Sequence, residues 1–286
     1  MDFDGDGAND LISGCYPGEI YFFKGMGGGK FAPAEPVKGA DGKPLKPGLA
    51  SVAFACDWDG DGDLDLLVGD IEGQVHLVVN DGTKAKPAYG APQLLKVGGN
   101  PIAVAGGDAA PTFADWDGDG NPDLLVGAGA GGVHWFRNTG TAKAPQLAAA
   151  QVLIPNLPEG AMAAAQGPKR GIRAKPHAVD WNKDGKLDLL VGDFLYDQAP
   201  QPVLNEAEQA ERNARRQEWM KQYTKLQQAP VNETTEARQA RMKQMAALVA
   251  QFRETKAAEN VEQAAATQYH GQVWLYLRTG GVARAE

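Results

Sequence analysis

Residues 57–70 read DWDGDGDLDLLVGD. Asp57, Asp59, Asp61, Asp63 and Asp65 fall on alternate positions, and the run Leu66, Leu67, Val68, Gly69 follows at once. Unit charges about 4 Å apart repel by about 4 kcal/mol at an effective dielectric near 20. A turn that gathers these carboxylates therefore needs a counter-ion. Ca²⁺ suits them, because it takes roughly 6–8 oxygen ligands from carboxylates, backbone carbonyls and water. Gly62, at loop position 6, stands where the chain must turn sharply, and glycine tolerates positive φ. For one isolated copy, a solvated acidic turn is the alternative.

The stretch is repeated. DFDGDGAND begins at Asp2, DWDGDGNPD at Asp115 and DWNKDGKLD at Asp180, so successive loops start 55, 58 and 65 residues apart. Such a period points to a repeat architecture. Positions 1, 3, 5 and 9 are Asp2, Asp4, Asp6 and Asp10 in the first loop, and Asp57, Asp59, Asp61 and Asp65 in the second. They are Asp115, Asp117, Asp119 and Asp123 in the third, and Asp180, Asn182, Asp184 and Asp188 in the fourth. Position 7 is Ala8, Asp63, Asn121 or Lys186, a scatter expected where only the backbone carbonyl is used. Up to four Ca²⁺ are expected on these residues. An EF-hand does not fit: it needs a bidentate Glu at position 12 and flanking helices. Position 12 here is Ser13, Val68, Val126 or Val191, and the flanks are short apolar runs that read as strands.

Each loop is embedded in a longer unit. An apolar run (SVAFAC, APTFA or AKPHAV) precedes it, and NDLISG, LDLLVG or PDLLVG continues it. A turn leads to GEIYFFKG, GQVHLVVN, GGVHWFRN or GQVWLYLR, and the first three copies add a weaker run such as PQLLKV. Strands A to D per repeat, with the acidic loop between A and B, predict an all-β fold of four-stranded propeller blades. The combination DxDxDGxxDLLVG followed by GxVxxF resembles the FG-GAP or VCBS repeat family, whose best-known members are the integrin α-subunit β-propellers. The resemblance spans the chain apart from roughly residues 200–268, and its weakest copy is the fourth, where Asn182 and Lys183 replace Asp and Gly. It implies Ca²⁺ held in the A–B loops. It also implies a secreted, periplasmic or cell-surface setting, since extracellular modules bind Ca²⁺ weakly. Members range from adhesion receptors and lectins to propeller-type lyases, so the resemblance implies a fold and an ion more closely than a function.

The first repeat lacks a strand A and the fourth a strand D. The chain is therefore expected to be a segment of a propeller of about six to eight blades, its remaining blades outside this chain, because closure protects sheet edges. A small self-closing propeller is the alternative. The B–C connection of the fourth repeat, from Asp193 to Gly271, is 75 residues longer than its counterpart from Asp70 to Gly73. Its composition shifts to Ala, Gln, Glu, Lys and Arg, all good helix formers. Helices are expected over 206–228 and, capped by Thr234 or Thr235, to residue 266, broken at Ala229-Pro230. Trp219, Tyr223 and Leu226 would pack on Met242, Met245, Val249 and Phe252. The expected parts are thus residues 1–199, a helical hairpin over 200–268, and 269–286. The hairpin reads as a solvated spacer or as a partner-binding arm.

The formal net charge is −8 over 286 residues, and the loops hold sixteen of the 36 acidic residues. No basic stripe with interleaved aromatics suggests nucleic acid, and no apolar run reaches the ~18 residues of a membrane helix. Cys15 and Cys56 form no metal motif and read as small core residues, with a disulfide between blades as the alternative. GAGAGG at 127–132 is followed by a strand and not by the helix a dinucleotide fingerprint needs, and GMGGGK at 25–30 lacks Ser or Thr after the Lys and follows a strand, so it reads as a C–D loop. His76 and His134 share a strand-C position with Tyr21 and Trp274, which marks them as packing residues, and no Ser/His/Asp set emerges. Phe3, Trp58, Trp116 and Trp181 at loop position 2 are expected to wedge between blades. The long D–A connections lie on the face opposite the acidic loops, where Lys169, Arg170 and Arg173 are candidate ligand residues. The functional expectation is a non-catalytic binding or adhesion module for a protein or glycan. The alternative is part of a propeller-type polysaccharide lyase or hydrolase.

Overall fold

The computed structural model describes residues 1–158, 170–197, 205–227, 234–264 and 268–278. The ligand candidate Lys169 lies outside the described residues. The chain divides into two compact units, Met1–Leu195 with Gly271–Glu286, and Tyr196–His270.

The first unit is a row of antiparallel sheets, each a propeller blade. Blade 1 is β1 (Leu11–Gly14), β2 (Ile20–Phe23) and β3 (Glu35–Pro36). Blade 2 is β4 (Val52–Cys56), β5 (Asp65–Gly69), β6 (Val75–Val78) and β7 (Gln93–Leu94). A small hairpin follows, β8 (Lys96–Val97) with β9 (Asn100–Pro101). Blade 3 is β10 (Ala110–Ala114), β11 (Asp123–Gly127), β12 (Val133–Phe136) and β13 (Gln151–Ile154). Blade 4 is β14 (Ile172–Val179), β15 (Asp188–Asp197) and β16 (Gln268–Tyr276). The run PQLLKV, expected as one strand, is split between β7 and β8, because its second half turns at Gly98-Gly99 to pair with β9.

The register repeats from blade to blade. The last residue of strand A faces the position-9 aspartate: Cys56 opposite Asp65, Ala114 opposite Asp123, Val179 opposite Asp188. The acidic loop is therefore the end of the A–B hairpin. Strands β5 and β11, both DLLVG, are buried at every residue. Neighbouring blades cover both of their faces, so the apolar/polar alternation of a one-sided strand is absent. Leu66, Leu67, Val68, Leu124, Leu125 and Val126 are fully buried, and each such side chain contributes roughly 1.5–3 kcal/mol on burial.

The core lies at the joints between blades. Phe3 packs with Phe22 and Tyr89 between blades 1 and 2, at ring separations of 5.3 and 6.5 Å. Trp58 meets Phe113 of blade 3 at 4.9 Å, and Trp116 packs with Ala174, Leu189 and Val191 of blade 4. These three are the expected wedges. Trp181 departs from the expectation and is 58% exposed, since among the described residues no further blade lies over it.

The glycine closing each LLVG-type strand marks the closest approach. A Cβ on Gly14, Gly69 or Gly127 would lie 2.1, 2.0 or 2.0 Å from the carbonyl oxygen of Ser51, Ala109 or Ala174, each entering strand A of the next blade. Beside it, Ser51, Ala109 and Ala174 donate backbone N–H bonds to Cys15, Asp70 and Ala128 at 3.1, 2.9 and 3.1 Å. The residue just before each, Ala50, Asp108 or Arg173, is left-handed at φ 49°, 50° or 58°.

The second unit contains α1 (Glu206–Gln227) and α2 (Thr235–Ala264). Thr234 caps α2, its Oγ1 accepting the Ala237 N–H at 3.2 Å. Trp219 stacks on Phe252 at 4.2 Å and donates from Nε1 to the Leu248 carbonyl at 3.1 Å. Met242, expected in this seam, is 52% exposed. Arg241 takes the inward place instead, its Nη1 donating to the Leu226 carbonyl near the end of α1 at 2.8 Å.

Candidate metal centre

The acidic loops are scaffolded by their own carboxylates. The position-1 aspartate accepts backbone N–H groups from across the loop: Asp57 from Asp61 and Gly62 at 3.1 and 3.2 Å, and Asp115 from Gly118, Asp119 and Gly120 at 2.9–3.0 Å. Asp2 takes Gly5 and Gly7, and Asp180 takes Asp184 and Gly185. Two left-handed residues bend each loop. Position 6 is as expected, with Gly62 at φ 97°, but position 4 is left-handed too: Gly5, Gly60, Gly118 and, in the fourth loop, Lys183 at φ 60°. The sequence shows glycine there in three copies, replaced by Lys183 in the fourth, but sequence reasoning did not assign position 4 a turning role.

The position-9 aspartate joins the loop to the end of strand C. Asp65 accepts the Trp58 N–H on Oδ2 at 2.9 Å and the Asn80 N–H on Oδ1 at 2.7 Å. Asp10 does the same with Phe3 and Gly25, Asp123 with Trp116 and Asn138, and Asp188 with Trp181 and Arg278. Burial pushes the Asp65 and Asp123 carboxyls up to about 6, with nearby loop carboxylates adding to the shift and the N–H bonds opposing it. Asn80 and Asn138, both buried, then order the C–D loops through Oδ1, accepting N–H groups from Gly82 and Ala88, and from Gly140 and Gln146. Sequence reasoning missed these asparagines. Their shared place at the end of VVN and FRN was the available signal.

Three loops gather carboxylate oxygens within 4.8 Å of one another: Asp2, Asp4 and Asp6; Asp57, Asp59 and Asp61; Asp115, Asp117 and Asp123. In the fourth, Asn182 Nδ2 donates to Asp184 Oδ2 at 3.1 Å. Ala8, Asn121 and Lys186 at position 7 each donate their backbone N–H to the position-5 aspartate. Asp63, also at position 7, is a buried side chain, only 6% exposed. Its Oδ1, like Asp59 Oδ1, is buried without a hydrogen-bond partner. A buried acceptor left unsatisfied costs about 1–3 kcal/mol, and more when charged. An all-oxygen set of crowded carboxylates with unsatisfied atoms fits a hard cation such as Ca²⁺.

The other candidates are engaged within the chain. Asp70 closes the B–C turn of blade 2, accepting from Glu72 and Gln74 on Oδ1 and facing His76 Nε2 at 2.9 Å on Oδ2. In blade 4, Trp274 Nε1 makes the corresponding bond to Asp193 at 2.6 Å. Arg170 donates to the Pro155 carbonyl at 3.1 Å. Arg173 pairs with Asp108 at 3.0 Å and lies over the Phe194 ring. Cys15 and Cys56 are free thiols.

The acidic loops and the C–D loops share one end of the blades, as the positions of Gly5 against Lys84 and Gly60 against Lys143 record. At that end, between blades 1 and 2, lies a cleft of about 320 Å³. Phe3, Phe22 and Tyr89 contribute apolar surface to it, and Asp4, Glu35, Lys38 and Lys84 contribute charge.

An Agrocybe aegerita lectin, solved in a study of its recognition of non-reducing terminal N-acetylglucosamine, matches 68% of this chain at 20% identity and a TM-score of 0.38. The match takes in 47% of the lectin chain, so this chain spans about half its length. The Photorhabdus luminescens Tc holotoxin pore matches 64% of this chain at 19% identity and a TM-score of 0.34, over 8% of that chain. The FG-GAP-like repeat is matched three times, over residues 2–68, 57–126 and 115–191, each match running from one acidic loop through the next, and the chain belongs to the FG-GAP-like repeat family.

Proposed function

We propose that this chain is a calcium-stabilised propeller segment that works as a binding module and not as an enzyme. The observation that carries the calcium reading is the convergence of carboxylates in three loops, with buried, unsatisfied oxygens at Asp59 and Asp63. Positions 1, 3, 5 and 9 would supply side-chain oxygens, and Ala8, Asp63, Asn121 and Lys186 a carbonyl each. The ion would offset the like charge and hold the A–B hairpin against strand C. The fourth loop would bind least well, having lost one carboxylate at Asn182 and carrying the strained Lys183. A setting outside the cytoplasm, where calcium is plentiful, follows from that requirement.

The partner reading rests on the cleft between blades 1 and 2. Its volume is at the lower end of small-ligand sites, and its rim of Asp4, Glu35, Lys38 and Lys84 over an apolar floor suits a saccharide or a polar protein loop. Its walls come from two blades, so a firm joint is a condition for binding. Calcium titration followed by differential scanning calorimetry tests the first reading: the melting temperature should rise with calcium and fall with EDTA. At free calcium about ten times Kd each site contributes about 1.4 kcal/mol. A calcium-insensitive melt refutes it. A glycan array read with and without Lys84→Ala tests the cleft, whose ligands should lose signal in the variant.

A further inference from the structure

Two of the four acidic loops pair with a cation from the end of their own strand C, and loops 2 and 4, with Val79 and Leu277 in that place, do not. Lys24, Val79 and Arg137 occupy the same place, the residue after β2, β6 and β12. Lys24 Nζ pairs with Asp4 Oδ2 and, at 2.7 Å, with Asp6 Oδ2. Arg137 does the same in blade 3, from Nε to Asp117 Oδ2 at 2.6 Å and from Nη2 to Asp119 Oδ2 at 2.9 Å. In both blades the cation takes loop positions 3 and 5. Blade 2 places the apolar Val79 there, although its loop holds five aspartates against four in the first and third loops and three in the fourth. Among the described residues, the loop carboxylate oxygens buried without a hydrogen bond belong to that same loop, Asp59 Oδ1 and Asp63 Oδ1. Blade 4 also lacks the cation, at Leu277, but its loop has fewer carboxylates; among the described residues the missing cation and the unsatisfied oxygens coincide in blade 2.

We infer that Lys24 and Arg137 are internal counter-ions that set the calcium affinity of their own loops, leaving blade 2 as the tight, calcium-requiring site. This rests on the calcium reading above and adds an order to it. A calcium ion entering blade 1 or blade 3 must displace a side chain from two of its ligands. Entering blade 2, it displaces no side chain and satisfies Asp59 Oδ1, which has no partner. Without calcium, loops 1 and 3 stay closed around their own cation, while loop 2 carries its like charge uncompensated. The unit thus responds to calcium first at its second blade, whose Trp58 packs into the joint with blade 3.

Isothermal titration calorimetry of CaCl₂ into the full chain tests this, using the wild type, Val79→Arg and the double variant Lys24→Gln/Arg137→Gln. Both replaced cations are substantially exposed, at 47% and 44%, so the glutamines are tolerable sterically. The wild type should show one tight class and a weaker class separated by about tenfold, the size expected for losing two exposed ion pairs. Val79→Arg should weaken the tight class by about tenfold, and the double variant should move the weaker class toward it. In EDTA the double variant should melt below the wild type, a readout that needs no bound calcium. If the wild type and both variants bind calcium with the same isotherm, the inference is overturned and the calcium reading stands. If none binds calcium, the calcium reading fails and the ordering of sites with it.

Discussion

Consider Gly69→Ala. The added methyl would lie 2.0 Å from the Ala109 carbonyl oxygen and 2.9 Å from Pro111 Cδ, both on the neighbouring blade. Neither is the end of a flexible side chain, so blades 2 and 3 must separate to admit it. Overpacking of this kind costs about 1–3 kcal/mol. Separation also strains the Ala109 N–H bond to the Asp70 carbonyl, 2.9 Å long, worth about 0.5–1.5 kcal/mol. The sum is about 2–4 kcal/mol, a large share of the ~5–15 kcal/mol that stabilises a typical domain. The chain carries its own control. Gly192 occupies the same motif position in blade 4, but among the described residues its added methyl meets nothing closer than 3.9 Å. Gly192→Ala should change stability by less than about 0.5 kcal/mol. Urea denaturation at saturating calcium, followed by tryptophan fluorescence, compares the two. Equal midpoints for Gly69→Ala and Gly192→Ala would refute the claim that the motif glycine exists to seat the next blade.

Lys183→Gly relieves the left-handed residue of the fourth loop, which costs an L-residue about 1–2 kcal/mol, partly offset by the entropy of the added glycine. A gain of up to about 1 kcal/mol is expected in thermal unfolding, and a loss would show that Lys183 has a compensating contact. The pH dependence follows from Asp65 and Asp123, whose carboxyls burial raises to about 6 from the usual value near 4. Between these values the native state holds protons the unfolded chain has released, so in calcium-free buffer this pair's contribution to stability falls as pH rises through that window. Calcium favours the ionised form, so the gap in melting temperature with and without calcium should widen from pH 5 to pH 7; a constant gap would contradict the assignment.

The parts legible in the sequence were those repeated with small sequence separation. The acidic loop, the DLLVG strand and strand C lie within about 25 residues of one another, and four copies fix their alignment. What escaped reading depends on contacts across strands or blades. Lys24 follows Asp4 by 20 residues and Arg137 follows Asp119 by 18, and each meets its loop only because strands B and C fold back beside it. The glycine of LLVG reads as a strand terminus until the next blade's carbonyl is placed against it. Arg170 and Arg173 read as free cations in a basic connection, yet Arg170 donates to the Gly131 and Pro155 carbonyls and Arg173 pairs with Asp108, residues distant in sequence from them. Met242 fits a helical stripe by spacing, but Arg241 beside it satisfies a carbonyl of α1, and a helix can turn only one of two adjacent residues inward.

These contacts join the loop chemistry to the blade joints through very few residues. The position-9 aspartate holds the backbone N–H of the position-2 aromatic: Asp10 with Phe3, Asp65 with Trp58, Asp123 with Trp116. That same aromatic packs against the neighbouring blade. Four residues after the aspartate comes the glycine on which that blade sits. An ion bound among the loop carboxylates would therefore act on a hairpin whose two ends both form the joint. The ionised Asp65 holds the Trp58 N–H more firmly than the protonated acid, and an ion that favours the ionised form would keep that hold in place. The motif spans loop and strand without a break because the two are one mechanical element, with the electrostatics at its tip and the blade contact at its base. In a row of blades an ion in one loop would thus act on one joint, and the cleft between blades 1 and 2 is where such an effect would be felt.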